Sequence, residues 1–357
     1  MFIIDAHLDL AMNAMEWNRD LRKPVAELRN REKGMMDKPD RSRNTVSLPA
    51  LREGKVGLVV ATQIARYVRK DSSLPGWNSP EQAWAQSQAQ IAWYQTMVES
   101  GEMLQITGTE SLENQIKIWA DPSVPDLEKP IGFILSLEGA DSLVKINYLE
   151  KAYAYGLRAV GPAHYGEGRY AGGTGTEAGF SESGKLLLRE MDSLHMILDV
   201  THLTDLGFKE ALDIFKGPVW ASHHNCRVLV KNQRQLTDDQ IRILIERGAV
   251  IGGVMDAWML TDGWIRGVSL PKAMGASLNR LIDHYDHICQ IAGNANHIAI
   301  GSDLDGAFGT EQSPFDLDTI ADLQKLSGLL IQRGYAEADI EKILHGNWLR
   351  FLNSAWR

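Results

Sequence analysis

Met1-Phe2-Ile3-Ile4-Asp5-Ala6-His7-Leu8-Asp9 opens the chain with an apolar run that ends in His-x-Asp. A short run of this kind, strong in β-branched residues, reads as a buried strand. In an extended chain, residues two apart point to the same side. His7 and Asp9 therefore aim an imidazole and a carboxylate at one point, two of the donors that a divalent metal requires. Taken alone, the pair fits a plain N-terminal strand with a solvated end just as readily. Its meaning depends on the rest of the chain.

Seven more apolar runs follow residues 2–6, at 56–62, 131–137, 157–163, 196–200, 219–222, 249–254 and 297–301. Helical patterns lie between and after them, at 81–99, 147–155, 183–194, 205–215, 238–247 (opened by Thr237, a good N-cap), 272–291 and 317–333. One or two terminal helices are expected over about 337–354, and a charged excursion with a short helix over about 16–43. Residues 104–108 read as a stray strand outside the eight. Eight strands alternating with helices indicate an α/β fold with a parallel sheet, which eight units close into a TIM-type (β/α)8 barrel with its site at the C-terminal strand ends. A doubly wound open sheet would want a Gly-rich dinucleotide turn after the first strand, where this chain has His7-Leu8-Asp9. With no Pro/Gly-rich linker and no repeat, residues 1–357 are expected to form a single domain.

Composition narrows the function. At 357 residues and 44% hydrophobic content the chain can bury a large core. A net charge of −9, without a basic face, argues against nucleic acid. No apolar run approaches the roughly 18 residues of a spanning helix, and no basic n-region with a long apolar stretch marks a secretory signal in this chain. Two cysteines, Cys226 and Cys289, are too few for a disulfide framework. The expectation is a soluble, cytoplasmic protein without a membrane anchor.

The chemically capable residues fall at the strand ends: His7 and Asp9 after the first, Glu138 after the third, His164 after the fourth, His202 after the fifth, His223 after the sixth and Asp303 after the eighth. A closed barrel brings those ends to one rim. Three histidines (His7, His202, His223) and two carboxylates (Asp9, Glu138) exceed what one tetrahedral zinc takes. Two metals fit better, with Glu138 as the bridge and a hydroxide held between the ions as nucleophile. Asp303 is then placed to take and return a proton, and His164 to polarise a carbonyl or stabilise an oxyanion.

With these residues in place, the chain resembles the membrane (renal) dipeptidase family of the metal-dependent amidohydrolase superfamily. The matching segments are residues 5–9, Glu138-Gly139, 184–202, Ser222-His223, 233–239, 301–306 and 346–350, in order from end to end. The resemblance implies a two-zinc barrel that hydrolyses dipeptides, often with a D-residue at the C-terminal position. It places His7 and Asp9 on one zinc and His202 and His223 on the other, with Glu138 bridging. It also puts His164 and Arg234 against the substrate, Arg234 gripping the free carboxylate, which suits a planar guanidinium. The expected partner is a small dipeptide, and the expected assembly a homodimer. Leu8, Ala140, His224-Asn225 and Leu304 depart from the family pattern, and substrate preference is expected to change with them.

Other readings carry less. His195 and His297 precede strands and are expected at the barrel floor. His284 and His287 read as a solvated helix face, His345 as a residue of the terminal helices, and His224 as a neighbour of a ligand. The Gly-rich stretch 166–179 reads as a mobile flap. Trp17, Trp77, Trp258 and Trp264 serve equally as pocket wall or packing, and Asp305 as a turn partner of Asp303. Two alternative functions stand beside the dipeptidase. One is a binuclear hydrolase of another amide, lactone or phosphoester, which would commonly use a carboxylated lysine where Glu138 stands. The other is a catalytically silent binding relative, which would have lost ligands.

Overall fold

A computed structural model describes residues 1–70 and 72–356 of the chain. Its strands are β1 (Ile3–Leu8), β2 (Val56–Ile64), β3 (Met103–Gln105), β4 (Ile131–Glu138), β5 (Leu157–Gly161), β6 (Ile197–Asp199), β7 (Val219–Trp220), β8 (Ile251–Gly253) and β9 (Ile298–Ile300). Eight of them follow the parallel path β7-β6-β5-β4-β2-β1-β9-β8, while β3, the expected stray strand, lies off it and pairs with β4. The ends of the path meet at a bridge between Ala221 and Ile251. Gly252 N–H donates to Ala221 O (2.8 Å) and His224 N–H to Gly252 O (2.7 Å), so the sheet closes into the expected (β/α)8 barrel. No helix among the described residues is long and apolar enough to cross a membrane.

Several strands stop short of the apolar runs that announced them. The Asp199 carboxylate accepts from Thr201 N–H (3.0 Å) and Ser222 N–H (3.1 Å). Asp5 likewise accepts from Ser302 N–H (2.8 Å) and His7 N–H (3.2 Å). Buried carboxylates thus replace ladder partners where the chain leaves the sheet. The helices follow expectation with two breaks. Residues 272–291 divide into Pro271–Met274 and Leu278–Ala292 around Gly275, whose φ of 72° ends the first. Residues 317–333 begin as a 3-10 turn, Ile320–Gln324, before the helix Lys325–Arg333. The helix Thr109–Ala120 was not anticipated.

Alternate residues of the eight strands fill the barrel. Ile4, Ala6, Leu58, Val60, Ile134, Ala159, Ile197, Trp220, Val250 and Ala299 form one inner cluster, closed from below by Trp348, Phe351 and Leu352 of the terminal helix. Trp348 Nε1 donates to Ile300 O (2.9 Å), and Asn347 Nδ2 to Ala295 O and Ile298 O. The matching segment 346–350 is therefore a floor, not a part of the mouth. Ile3, Leu8, Val59 and Phe133 face the larger cluster between barrel and helices.

The side on which His7 falls depends on an irregularity. Asp5 pairs with Val59 and Leu8 with Ala61, so β1 takes three residues where β2 takes two. Ala6 faces in and Leu8 faces out, two residues apart. The extra residue, a bulge, turns His7 inward. Strict alternation with Ile3 and Asp5 would have carried it to the outer layer. Asp9 reaches the same mouth from beyond the strand, at the N-cap of the helix Leu10–Glu16. Leu8 is consequently core, in the larger cluster that the buried Ala140 and Leu304 also join.

The excursion over 16–43 carries the helix Val25–Arg31 and is fastened by buried charge. Arg19 Nε donates to Glu32 (2.8 Å), Nη2 to Asp40 (2.9 Å) and Nη1 to Asn13 Oδ1 (2.6 Å). Trp348→Ala, which opens the floor, is expected to destabilise the fold by about 3–5 kcal/mol. Urea unfolding checks this, and an unchanged midpoint would show that Trp348 does not hold the floor.

Candidate metal centre at the barrel mouth

The closed barrel brings every residue of the expected site to one mouth. Glu138, the last residue of β4, is the hub. Its Oε1 lies 3.3 Å from His202 Nε2, 3.6 Å from His223 Nε2 and 3.9 Å from His164 Nε2, and its Oε2 lies 3.5 Å from His7 Nε2. His7 Nε2 also stands 3.8 Å from Asp303 Oδ1 and 3.9 Å from Asp9 Oδ1. Three groupings have donor atoms mutually within 4.8 Å: His7, Asp9 and Glu138; Glu138, His164 and His202; His7, His223 and Asp303.

Local backbone aims these side chains. His164, His202, His223 and Asp303 each sit three residues beyond the end of their strand, where the chain bends over the mouth. His202 (φ 67°) and Asp303 (φ 59°) do so in the left-handed region, which side chains other than glycine adopt only at a cost of roughly 1–3 kcal/mol. Gly252 and Gly301 are required below them, because a Cβ at either position would collide with Ser222 O.

The electrostatics suit a cation. Burial pushes the Asp9 carboxyl up to about 7, helped by Glu138, and carries Asp303 well above the usual carboxylate range. Burial would also raise Glu138, but the His7 and His164 imidazoles, with His202 beside them, outweigh it and hold its carboxyl well below the ordinary value. Burial keeps His202 and His223 far below the usual imidazole value, so each offers a neutral lone pair, the form that ligates. His7 Nε2 is buried and has no hydrogen-bond partner among the described residues, although it is ringed by carboxylates. A buried orphan nitrogen among converging oxygens is a donor set that a divalent ion satisfies. His7, Asp9, Glu138, His202 and His223 therefore fit a metal centre.

Hydroxyls orient two of the imidazoles. Thr174 Oγ1 lies 2.8 Å from His202 Nδ1, and Ser222 Oγ lies 2.9 Å from His223 Nδ1. Thr62 Oγ1 donates to Asp9 Oδ1. Thr174 belongs to the stretch read as a mobile flap. That stretch is tied down by bridges Tyr165–Thr174, Glu167–Gly172 and Ala171–Phe180, and so serves as a fixed support for His202. Arg234 is buried: its Nη2 donates to His223 O (3.0 Å), while Nη1 has no partner among the described residues.

Four of the remaining candidates are held in structural contacts. Asp305 accepts from Thr45 N–H (2.6 Å), Thr45 Oγ1 (2.8 Å) and Val46 N–H (2.9 Å), anchoring the end of the excursion. His284 is buried, not solvated, and its Nδ1 accepts from Cys226 N–H (3.1 Å), while His287 pairs with Asp238 (2.8 Å). Trp17 Nε1 donates to Asp40 within the excursion. Two rim residues escaped the sequence reading, one on each strand it left without chemistry. Arg66 follows β2, with Nη2 2.5 Å from His164 Nδ1. Asp256 follows β8, with its carboxyl pushed up to about 7, mainly by burial, although Gln312 and Trp258 Nε1 donate to it. Asking each of the eight strands for a polar residue just past its end would have found both.

The model of the membrane dipeptidase family (peptidase family M19) matches residues 1–356. The chain belongs to that family. It is 29% identical over 240 residues to an uncharacterised protein of Klebsiella pneumoniae encoded in the pqqA 5′ region, a match covering 64% of this chain and 84% of that one. It is also 29% identical over 231 residues to dipeptidase verJ of Clonostachys rogersoniana, covering 62% of this chain but only 56% of that relative. Among solved structures, a metallo peptidase of Rhodobacter sphaeroides liganded with a phosphinate mimic of the dipeptide L-Ala-D-Ala superposes with a TM-score of 0.77 at 22% identity, over 100% of this chain and 99% of the other. The probable dipeptidase PvdM of Pseudomonas aeruginosa gives 0.76 at 17% identity, over 100% and 96%. At these identities the likeness is one of fold.

Removing the hydroxyl beside His223 with Ser222→Ala is expected to weaken divalent-metal binding about 10–100-fold. Competition against a chelator reads it, and unaltered affinity would argue that His223 holds no metal.

Proposed function

We propose that this member of the family hydrolyses the peptide bond of dipeptides, L-Xaa-D-Xaa among them, at two zinc ions. His7 and Asp9 would hold one ion and His202 and His223 the other, with Glu138 shared between them. Mixed nitrogen and carboxylate donors suit zinc. The observation that carries the reading is Arg234, a buried guanidinium with Nη1 unpartnered, beside the Glu138 cluster. A free carboxylate one residue from the scissile bond is the group that such an arginine pairs with bidentately. The phosphinate dipeptide in the Rhodobacter neighbour adds support for the substrate class.

When bound, two such ions lower the pKa of a water and polarise the scissile carbonyl, which supplies a nucleophile at neutral pH. The chain's own residues do the rest. Arg234 fixes the substrate by its C-terminal carboxylate. His164, kept neutral with its pKa pushed down to about 3 mainly by burial, donates a hydrogen bond to the oxygen that gains charge during attack. Asp303, whose carboxyl burial makes unusually basic, takes the proton of the attacking water at Oδ1 or Oδ2 and returns it to the leaving amine. The whole chain works as one barrel domain, with its floor closed by the terminal helix. A cytoplasmic setting is supported by two free thiols, Cys226 and Cys289.

Asp303→Asn is expected to lower kcat for L-Ala-D-Ala about 100–10,000-fold with both metals retained. Metal analysis alongside the kinetics separates the outcomes: an active variant removes the proton role, and lost metal makes Asp303 a ligand. Arg234→Ala is expected to raise KM about 10–100-fold, the worth of charged hydrogen bonds. The same KM for dipeptides and for their C-terminal amides in the native enzyme would refute the carboxylate grip.

A further inference from the structure

The three histidines nearest Glu138 Oε1 are not distinguished by distance. His164, His202 and Glu138 have donor atoms mutually within 4.8 Å, so spacing alone would allow His164 to be a ligand. What differs is the group facing each Nδ1. His202 and His223 face the hydroxyls of Thr174 and Ser222, which can accept a hydrogen bond from Nδ1–H and so leave Nε2 as a lone pair. His164 Nδ1 faces Arg66 Nη2 at 2.5 Å. A guanidinium has five N–H donors and no acceptor. Nδ1 must therefore lend its lone pair, and the single proton of the neutral ring belongs to Nε2. That Nε2–H points toward Glu138 Oε1, 3.9 Å away, across the space where substrate would react.

We propose that Arg66 is a positioning residue that holds His164 as the neutral Nε2–H tautomer, making it a hydrogen-bond donor to substrate and excluding it from the metal ligands. The inference rests on the donor role given to His164 above. Arg66 is well placed to enforce it. Its Nη1 donates to Pro75 O (2.9 Å), its carbonyl accepts from Trp77 N–H (2.8 Å), and Val68 N–H donates to Trp77 O (3.0 Å), so the turn after β2 holds it at both ends. The positive charge of Arg66 against Nδ1 also withdraws electron density from the ring, which strengthens Nε2–H as a donor to a developing oxyanion. The ligand histidines and the donor histidine thus differ by what stands behind them.

The test labels histidine with 15N and reads the His164 ring nitrogens in the zinc-loaded protein and again after chelation, with His164→Gln to assign the signals. The expected state is Nε2–H in the native protein and in Arg66→Lys, whose ammonium also only donates. Arg66→Gln, whose amide oxygen can accept, is expected to shift His164 toward Nδ1–H. With it, kcat is expected to fall about 100-fold, as for loss of one oxyanion donor, while KM changes little. Arg66→Lys should recover most of that loss. A native His164 carrying Nδ1–H, or an Arg66→Gln enzyme with native kcat, overturns the inference. A fully active His164→Ala enzyme instead overturns the donor role itself, and leaves the tautomer measurement to stand or fall separately.

Discussion

Glu138 lies within 4 Å of the Nε2 of His7, His164, His202 and His223, and this crowding of unlike charge in a buried space is the constraint that the rest of the structure serves. Carboxylates and imidazoles removed from water are costly unless each meets a counter-charge or a hydrogen bond. Here the accounts differ from residue to residue. Asp5 and Asp199 are satisfied by backbone N–H groups below the mouth, and Asp305 by Thr45 and Val46. Among the described residues Asp303 and His7 gain no side-chain hydrogen bond and Asp9 gains only that of the Thr62 hydroxyl, and the three converge on one gap. A cation there would serve all three.

A site of this kind needs a rigid base, because shifts near 1 Å change which donor reaches which ion. The barrel supplies it in layers. Trp220, Trp348 and Phe351 pack the floor, apolar residues of the strands fill the middle, and small or polar residues such as Gly301, Ser222 and Asp199 lie just below the mouth. Strain is tolerated at the top, in the left-handed backbone of His202 and Asp303, where the layers below and the ties to Thr174 over-determine the conformation.

Much of the site was legible because its signals are local. A polar residue at the end of an apolar run marks a strand's C-terminal end, and His7, Glu138, His164, His202, His223 and Asp303 all carry that mark. Arg66 and Asp256 carry it too, yet arginine and aspartate are so common in loops that neither stood out beside histidines. The departures from the family pattern were legible as departures but not as to consequence. Leu8 and Leu304 look like rim residues in the sequence, and only packing shows them turned into the layer between barrel and helices. The Gly-rich stretch was misread for a related reason: glycine signals freedom, but here it allows close approach, as at Gly173 against His164 O.

The sequence by itself determined the alternation of strands and helices, the closed barrel that alternation implies, and the donors offered at its rim, since each follows from spacing and residue type. Tertiary structure decided how those donors are used. The bulge that turns His7 inward exists only in the pairing of β1 with β2, three residues against two. For His164, His202 and His223 the proton depends on whether a hydroxyl or a guanidinium stands behind the ring, and Arg66 and His164 are 98 residues apart in the chain. Direction and protonation are properties of contacts between distant segments, and no local pattern encodes them.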